Sequence, residues 1–80
     1  MSGVLRLSEL KIGQRGRVRK LEETSWAKRL LDMGFQDGSA IEKLIEGPWF
    51  ADPCSYRIRG SIVALRKAEA DLVWVEVQEQ

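Results

Sequence analysis

Cys54 is the only cysteine in the chain, and no histidine occurs anywhere. A Ser-His or Cys-His nucleophile pair is therefore out of reach, and the commonest metal ligand is missing. No Gly-x-x-x-x-Gly-Lys-Ser/Thr run occurs, so nucleotide is not held by a P-loop. Glu22 and Glu23 read as surface charge rather than as an acid–base pair. On an alternating strand Cys54 shares a side with Tyr56 and Ile58, which makes it a small buried side chain. No Asp/Glu cluster has ligand spacing. These residues argue against an enzyme, and they imply no cofactor and no tight metal site.

Binding is the chemistry that remains. Trp49 and Phe50 lie between Pro48 and Pro53, where they act either as a lid over the open end of the fold or as an apolar anchor for a partner. Trp26, near a helix start, has the same two readings, as a packing seam or as an anchor. Arg57, Arg59 and Ile62 form a mixed basic and apolar patch, with Arg17 and Arg19 as its candidate extension. That patch is either a solvated sheet face or a contact for an acidic or phosphate-bearing surface. The net charge of +1 hides an asymmetry: residues 1–30 hold eight Lys/Arg against three Asp/Glu, and residues 31–80 hold five against nine. Lys11, Arg15, Arg17, Arg19 and Lys20 would be the contacts of a nucleic-acid-binding barrel. Net charge near zero, and no aromatic platform interleaved with that run, argue against nucleic acid.

The elements that must position these residues are short. Ser8 is a candidate cap for one turn, and Gly13 and Gly16 flank a turn into a strand at 16–21, with Val18 inward and Arg17 and Arg19 outward. Leu21 breaks the alternation and predicts a bulge. Thr24 or Ser25 caps a helix over 26–33 that Gly34 stops, with Trp26, Leu30 and Met33 on one face. A strand over 40–45 alternates imperfectly, and 47–53 reads as a long loop. Gly60-Ser61 predicts a two-residue hairpin turn that puts Tyr56, Ile58, Val63 and Leu65 on one face and Arg57 and Ile62 on the other. A helical turn at 66–70 precedes a strand over 72–77 with Val73, Val75 and Val77 inward. Trp74 points outward, to be covered by the terminal segment or the helix.

Eighty residues make one small domain, 1–80, with a thin core. The pattern predicts a mainly β fold: a small five-stranded antiparallel barrel, closed or nearly closed, with one short helix between the first two strands and short helical turns. A single cysteine allows no internal disulfide, and a reducing, cytoplasmic setting is the default. No stretch approaches the ~20 apolar residues of a membrane span.

The order of five blocks is specific. They are Leu7-Ser8-Glu9-Leu10-Lys11-Ile12-Gly13-Gln14-Arg15-Gly16-Arg17-Val18; Arg29-Leu30-Leu31-Asp32-Met33-Gly34-Phe35 with Gly38; Gly47-Pro48 with Asp52-Pro53; Tyr56-Arg57-Ile58-Arg59-Gly60; and Ala64-Leu65-Arg66-Lys67-Ala68-Glu69-Ala70. Over residues 7–77 the chain resembles the FeoA family, the small cytosolic component of bacterial ferrous iron transport. The resemblance implies an SH3-like barrel with a helix laid against it. It implies a partner, the FeoB-type membrane transporter with its cytosolic GTPase domain, reached from the cytoplasm as a monomer that meets the membrane only indirectly. A similar domain ends the DtxR-type metal-dependent repressors, so a metal-responsive regulatory domain is the alternative.

Overall fold

Short runs rich in Val, Ile and Leu, punctuated by glycine, give strands too short to be stable singly, so they must share one sheet. The computed structural model describes residues 3–49 and 52–78. Its elements are Val4–Arg6 (β1), a single 3-10 turn at Leu7–Glu9, Arg15–Leu21 (β2), Ala27–Asp32 (α1), Ala40–Trp49 (β3), Asp52–Ile58 (β4), Ser61–Leu65 (β5), Lys67–Ala70 (α2) and Val73–Gln78 (β6). The strands form one antiparallel sheet in the order β1-β6-β2-β3-β4-β5. The sheet has six strands, not five. The added strand is β1, three residues long, too short to show a period, and it pairs Val4 with Glu76 and Arg6 with Trp74. The helix accordingly lies between the second and third strands.

The sheet wraps a core of Leu7, Leu10, Val18, Leu30, Phe35, Ile41, Tyr56, Ile58, Leu65, Ala70, Val73 and Val75. β1 and β5 stand at opposite ends of the strand order. Between them the 3-10 turn and α2 touch, and α2 also touches β4 and β5. Ser8 does not cap the turn; its hydroxyl bonds the Asp71 carboxylate. The cap is acidic instead: Arg6 N–H donates to Glu9 Oε1 at 2.9 Å, and α2 repeats this with Arg66 N–H and Glu69.

α1 ends in a Schellman motif. Phe35 N–H donates to Leu30 C=O and Gly34 N–H to Leu31 C=O, with Gly34 at φ 109. Phe35 is then fully buried. At the other end Thr24 Oγ1 accepts from Trp26 N–H, so Trp26 precedes the helix rather than opening its apolar face. Leu30 alone of that face is fully sealed; Leu31 stays exposed.

Three readings of the strands shift. The bulge in β2 falls between Val18 and Lys20, just before Leu21. β3 runs through Gly47 and Pro48 to a Trp49–Asp52 pair, so most of the expected loop is strand. Two register shifts in β3 hide its period, and Gly47 sits where a Cβ would lie 2.2 Å from Pro53 O, a close crossing only glycine allows. The β4–β5 turn is Arg59-Gly60, one residue earlier than expected, with φ 49 and 80, the type I′ signature. Moving a two-residue turn by one changes each partner by two, so the inward and outward sets stay the same.

Candidate protein-docking face

Cross-strand neighbours assemble the face. Gln78, Arg15, Glu42, Arg57 and Ile62 stand side by side across β6, β2, β3, β4 and β5. The next row is Ile45, Ser55 and Ala64. Alternation turns both rows away from the core, because Tyr56 and Ile58 on either side of Arg57 are buried. Ile62 is 65% exposed and Ile45 63% exposed, both large apolar side chains. Along the first row a groove of about 430 Å3 is lined by Arg15, Glu42, Arg57, Arg59 and Gly60 among others. Arg15 Nε lies 3.8 Å from Glu42 Oε1.

The structure thus brings Arg57, Arg59 and Ile62 together, as their spacing predicts. Arg59 joins from the turn rather than from the strand. The extension differs. Arg17 donates to Gly38 C=O in the adjoining row, and Arg19 pairs with Glu76 at 2.9 Å. Arg15 and Ile45 are the members that spacing misses. Trp26, 45% exposed, lines a different recess of about 380 Å3 with Arg29, Arg66, Ala68 and Glu69, and the Arg29 guanidinium lies 5.8 Å from its ring centroid. Phe50 and the Trp49 side chain lie outside the described residues. Trp74 is covered by the terminal segment: Arg6 stacks 4.6 Å from its ring, and its indole N–H donates to Glu22 Oε1.

A second polar cluster is part-buried. Lys43, Glu46, Cys54, Tyr56 and Ser8 surround a cavity of about 80 Å3. Burial raises the Tyr56 phenol well above its ordinary value, helped by Cys54, Glu46 and Asp71. Among the described residues no group of three or more Cys, Asp or Glu is placed to hold a metal. No helix of the described residues is long and apolar enough to cross a membrane.

A family model for the FeoA domain matches residues 5–77. This chain belongs to the FeoA family. The family is linked to ferrous iron transport. A FeoA-like protein from Clostridium acetobutylicum is 31% identical, covering all of this chain and 93% of its own, with a TM-score of 0.89. FeoA from Stenotrophomonas maltophilia, an SH3 domain protein solved with zinc, is 28% identical over 94% of this chain and 88% of its own, with a TM-score of 0.77. A manganese-dependent transcriptional repressor is 19% identical, with a TM-score of 0.85 over 98% of this chain and 44% of its own. At that identity the likeness is one of fold. No curated protein matches this FeoA-family chain.

Proposed function

We propose that this chain is a cytoplasmic accessory protein of bacterial ferrous iron uptake. It docks on the cytosolic region of a FeoB-type membrane transporter and supports or regulates its GTPase-linked transport. The activity is binding, not turnover, because the sequence offers no catalytic pair and no phosphate-binding loop. The observation that carries the reading is the exposed Arg57–Ile62 pair with Ile45 beside it. An exposed isoleucine paired with arginine, and a second exposed isoleucine in the next row, have the mixed character of a docking surface rather than of a solvated sheet. Trp26 in its recess, and Trp49 and Phe50 at the β3–β4 connection, are further contacts. The test is recovery of the tagged protein from detergent-solubilised membranes, with its companions identified by mass. A FeoB-type transporter is the expected companion; its absence from repeated captures refutes the docking.

A second reading, a metal-responsive regulatory domain, stays open from the resemblance, to which the repressor likeness adds the shared fold. Regulation of that kind requires a metal-dependent change in this chain. Titration with manganese or ferrous ion that leaves the amide spectrum unmoved removes it.

A further inference from the structure

Arg59 occupies a backbone position that glycine, asparagine or aspartate fill more easily, at φ 49 in the β4–β5 turn. Its stem is housed: a Cβ built on Gly34 would lie 3.1 Å from Arg59 Cδ, so the bare glycine at the end of α1 leaves room for it. The stem packs there while the residue lines the groove with Arg15 and Arg57. Among the described residues those three arginines share the groove with one carboxylate, Glu42, which stands beside Arg15 on one strand and Arg57 on the other. Among the described residues, neither Arg57 nor Arg59 takes part in an ion pair. Among the described residues the groove therefore holds unpaired positive charge; Ile62 stands beside Arg57 in the same row, and Ile45 and Ala64 flank Ser55 in the next.

We infer that this groove receives an acidic and apolar segment of a protein partner, with carboxylate side chains between Arg57 and Arg59 and apolar side chains on Ile62 and Ile45. The inference rests on the docking reading above and gives the partner its chemistry. Guanidinium forks suit carboxylates geometrically. The adjoining isoleucines have no use for a free phosphate. Glu42, in the middle of the face, repels a continuous anionic surface such as a bilayer but is easily bypassed by a segment whose charges are spaced.

The test uses the whole chain, nitrogen-15 labelled, titrated with a short peptide of alternating glutamate and leucine. Saturable amide shifts are expected at Glu42, Arg57, Arg59, Gly60 and Ile62. The lysine–leucine counterpart should produce none. Arg57→Gln with Arg59→Asn, which keeps a residue suited to the turn, should weaken binding about tenfold or more. Glu42→Gln should tighten it severalfold, because a competing carboxylate is gone. Binding unchanged in the double variant overturns the inference. So do equal shifts with inorganic phosphate, or binding only to phosphatidylglycerol vesicles. Peptide binding with no transporter recovered from membranes keeps the groove and retires the transporter as partner; transporter recovery without peptide binding does the reverse.

Discussion

The Lys43 ammonium donates to the Leu10 carbonyl oxygen at 2.8 Å across the interior of the fold. Lys43 is 2% exposed, at a strand position where alternation calls for an apolar side chain. Its second partner is Glu46 Oε2, also at 2.8 Å, on the far side of the β3 bulge. The lysine thus ties the exit of the 3-10 turn to β3 and balances its own charge. Lys43→Met keeps much of the buried stem but leaves the Leu10 carbonyl unpaired. The expected loss is about 1–3 kcal/mol, read as a lower urea midpoint at an unchanged slope. A midpoint equal to that of the parent would mean the tie contributes nothing.

Tyr56 is the only tyrosine, so its ionisation can be followed cleanly by ultraviolet absorbance. Its phenol is raised above the unfolded value of about 10, first by burial and then by Cys54, Glu46 and Asp71. The folded state therefore holds this proton where the unfolded state gives it up. Stability from this group is fully present below pH ~10 and is lost as pH rises above it. Tyrosinate should appear only together with unfolding, and Tyr56→Phe should extend the folded range to higher pH. Free ionisation near pH ~10 in a chain that stays folded would show that the phenol is open to water.

Much of this was legible in the residues. Val73 and Val75 face inward because they sit in a strand of plain alternation, Val18 because it precedes the bulge of its strand, and Tyr56, Ile58 and Leu65 by the same alternation. Arg57 and Ile62 face outward for the converse reason. Arg15 and Ile45 were not legible, because their place beside Arg57 depends on the register of three strands rather than on spacing within one. β3 defeated periodicity most: its bulge lets Lys43 point in and Ile45 point out, the inverse of what hydrophobicity suggests. The turn was displaced by one residue because a glycine can serve as its first or its second central position, and an arginine at φ 49 has no signature in sequence.

Gly16 is required by closeness rather than by φ. A Cβ there would lie 2.4 Å from Val75 Cγ1 and 2.6 Å from the Glu76 carbonyl oxygen. β2 and β6 are bonded together at this point, so neither backbone can yield alone. Gly16→Ala should cost about 1–3 kcal/mol, as overpacking does. Gly3→Ala, with open space around the site, is the control and should leave the melting temperature in place. Equal melting temperatures for the two variants would contradict the close approach.

The turn gives two substitutions of opposite sign. Gly60→Val puts a β-branched residue at φ 80 and should lose on the order of 1–3 kcal/mol. Arg59→Asn places a residue that tolerates φ 49 and should hold or raise the melting temperature by a few degrees, about what 0.5 kcal/mol gives in a domain this small. Thermal unfolding of both variants checks the pair. A large loss in Arg59→Asn would assign the arginine stem on Gly34 more of the fold than the turn geometry does.

Docking and folding separate on the outward face. Arg57 and Arg59 are exposed and unpaired among the described residues, so reversing their charge removes little from the folded state. Arg57→Glu with Arg59→Glu should keep the circular dichroism spectrum and a melting temperature near that of the parent. It should sharply reduce recovery of the FeoB-type transporter and lower ferrous iron uptake in cells, because a like charge across an interface costs more than a lost attraction. Trp26→Ala is the contrasting variant. Trp26 stands in a separate recess and is half exposed, so its removal should spare the fold. If the double-glutamate variant recovers the transporter normally and Trp26→Ala does not, the partner sits on the recess between α1 and α2, and the arginine face is surface only.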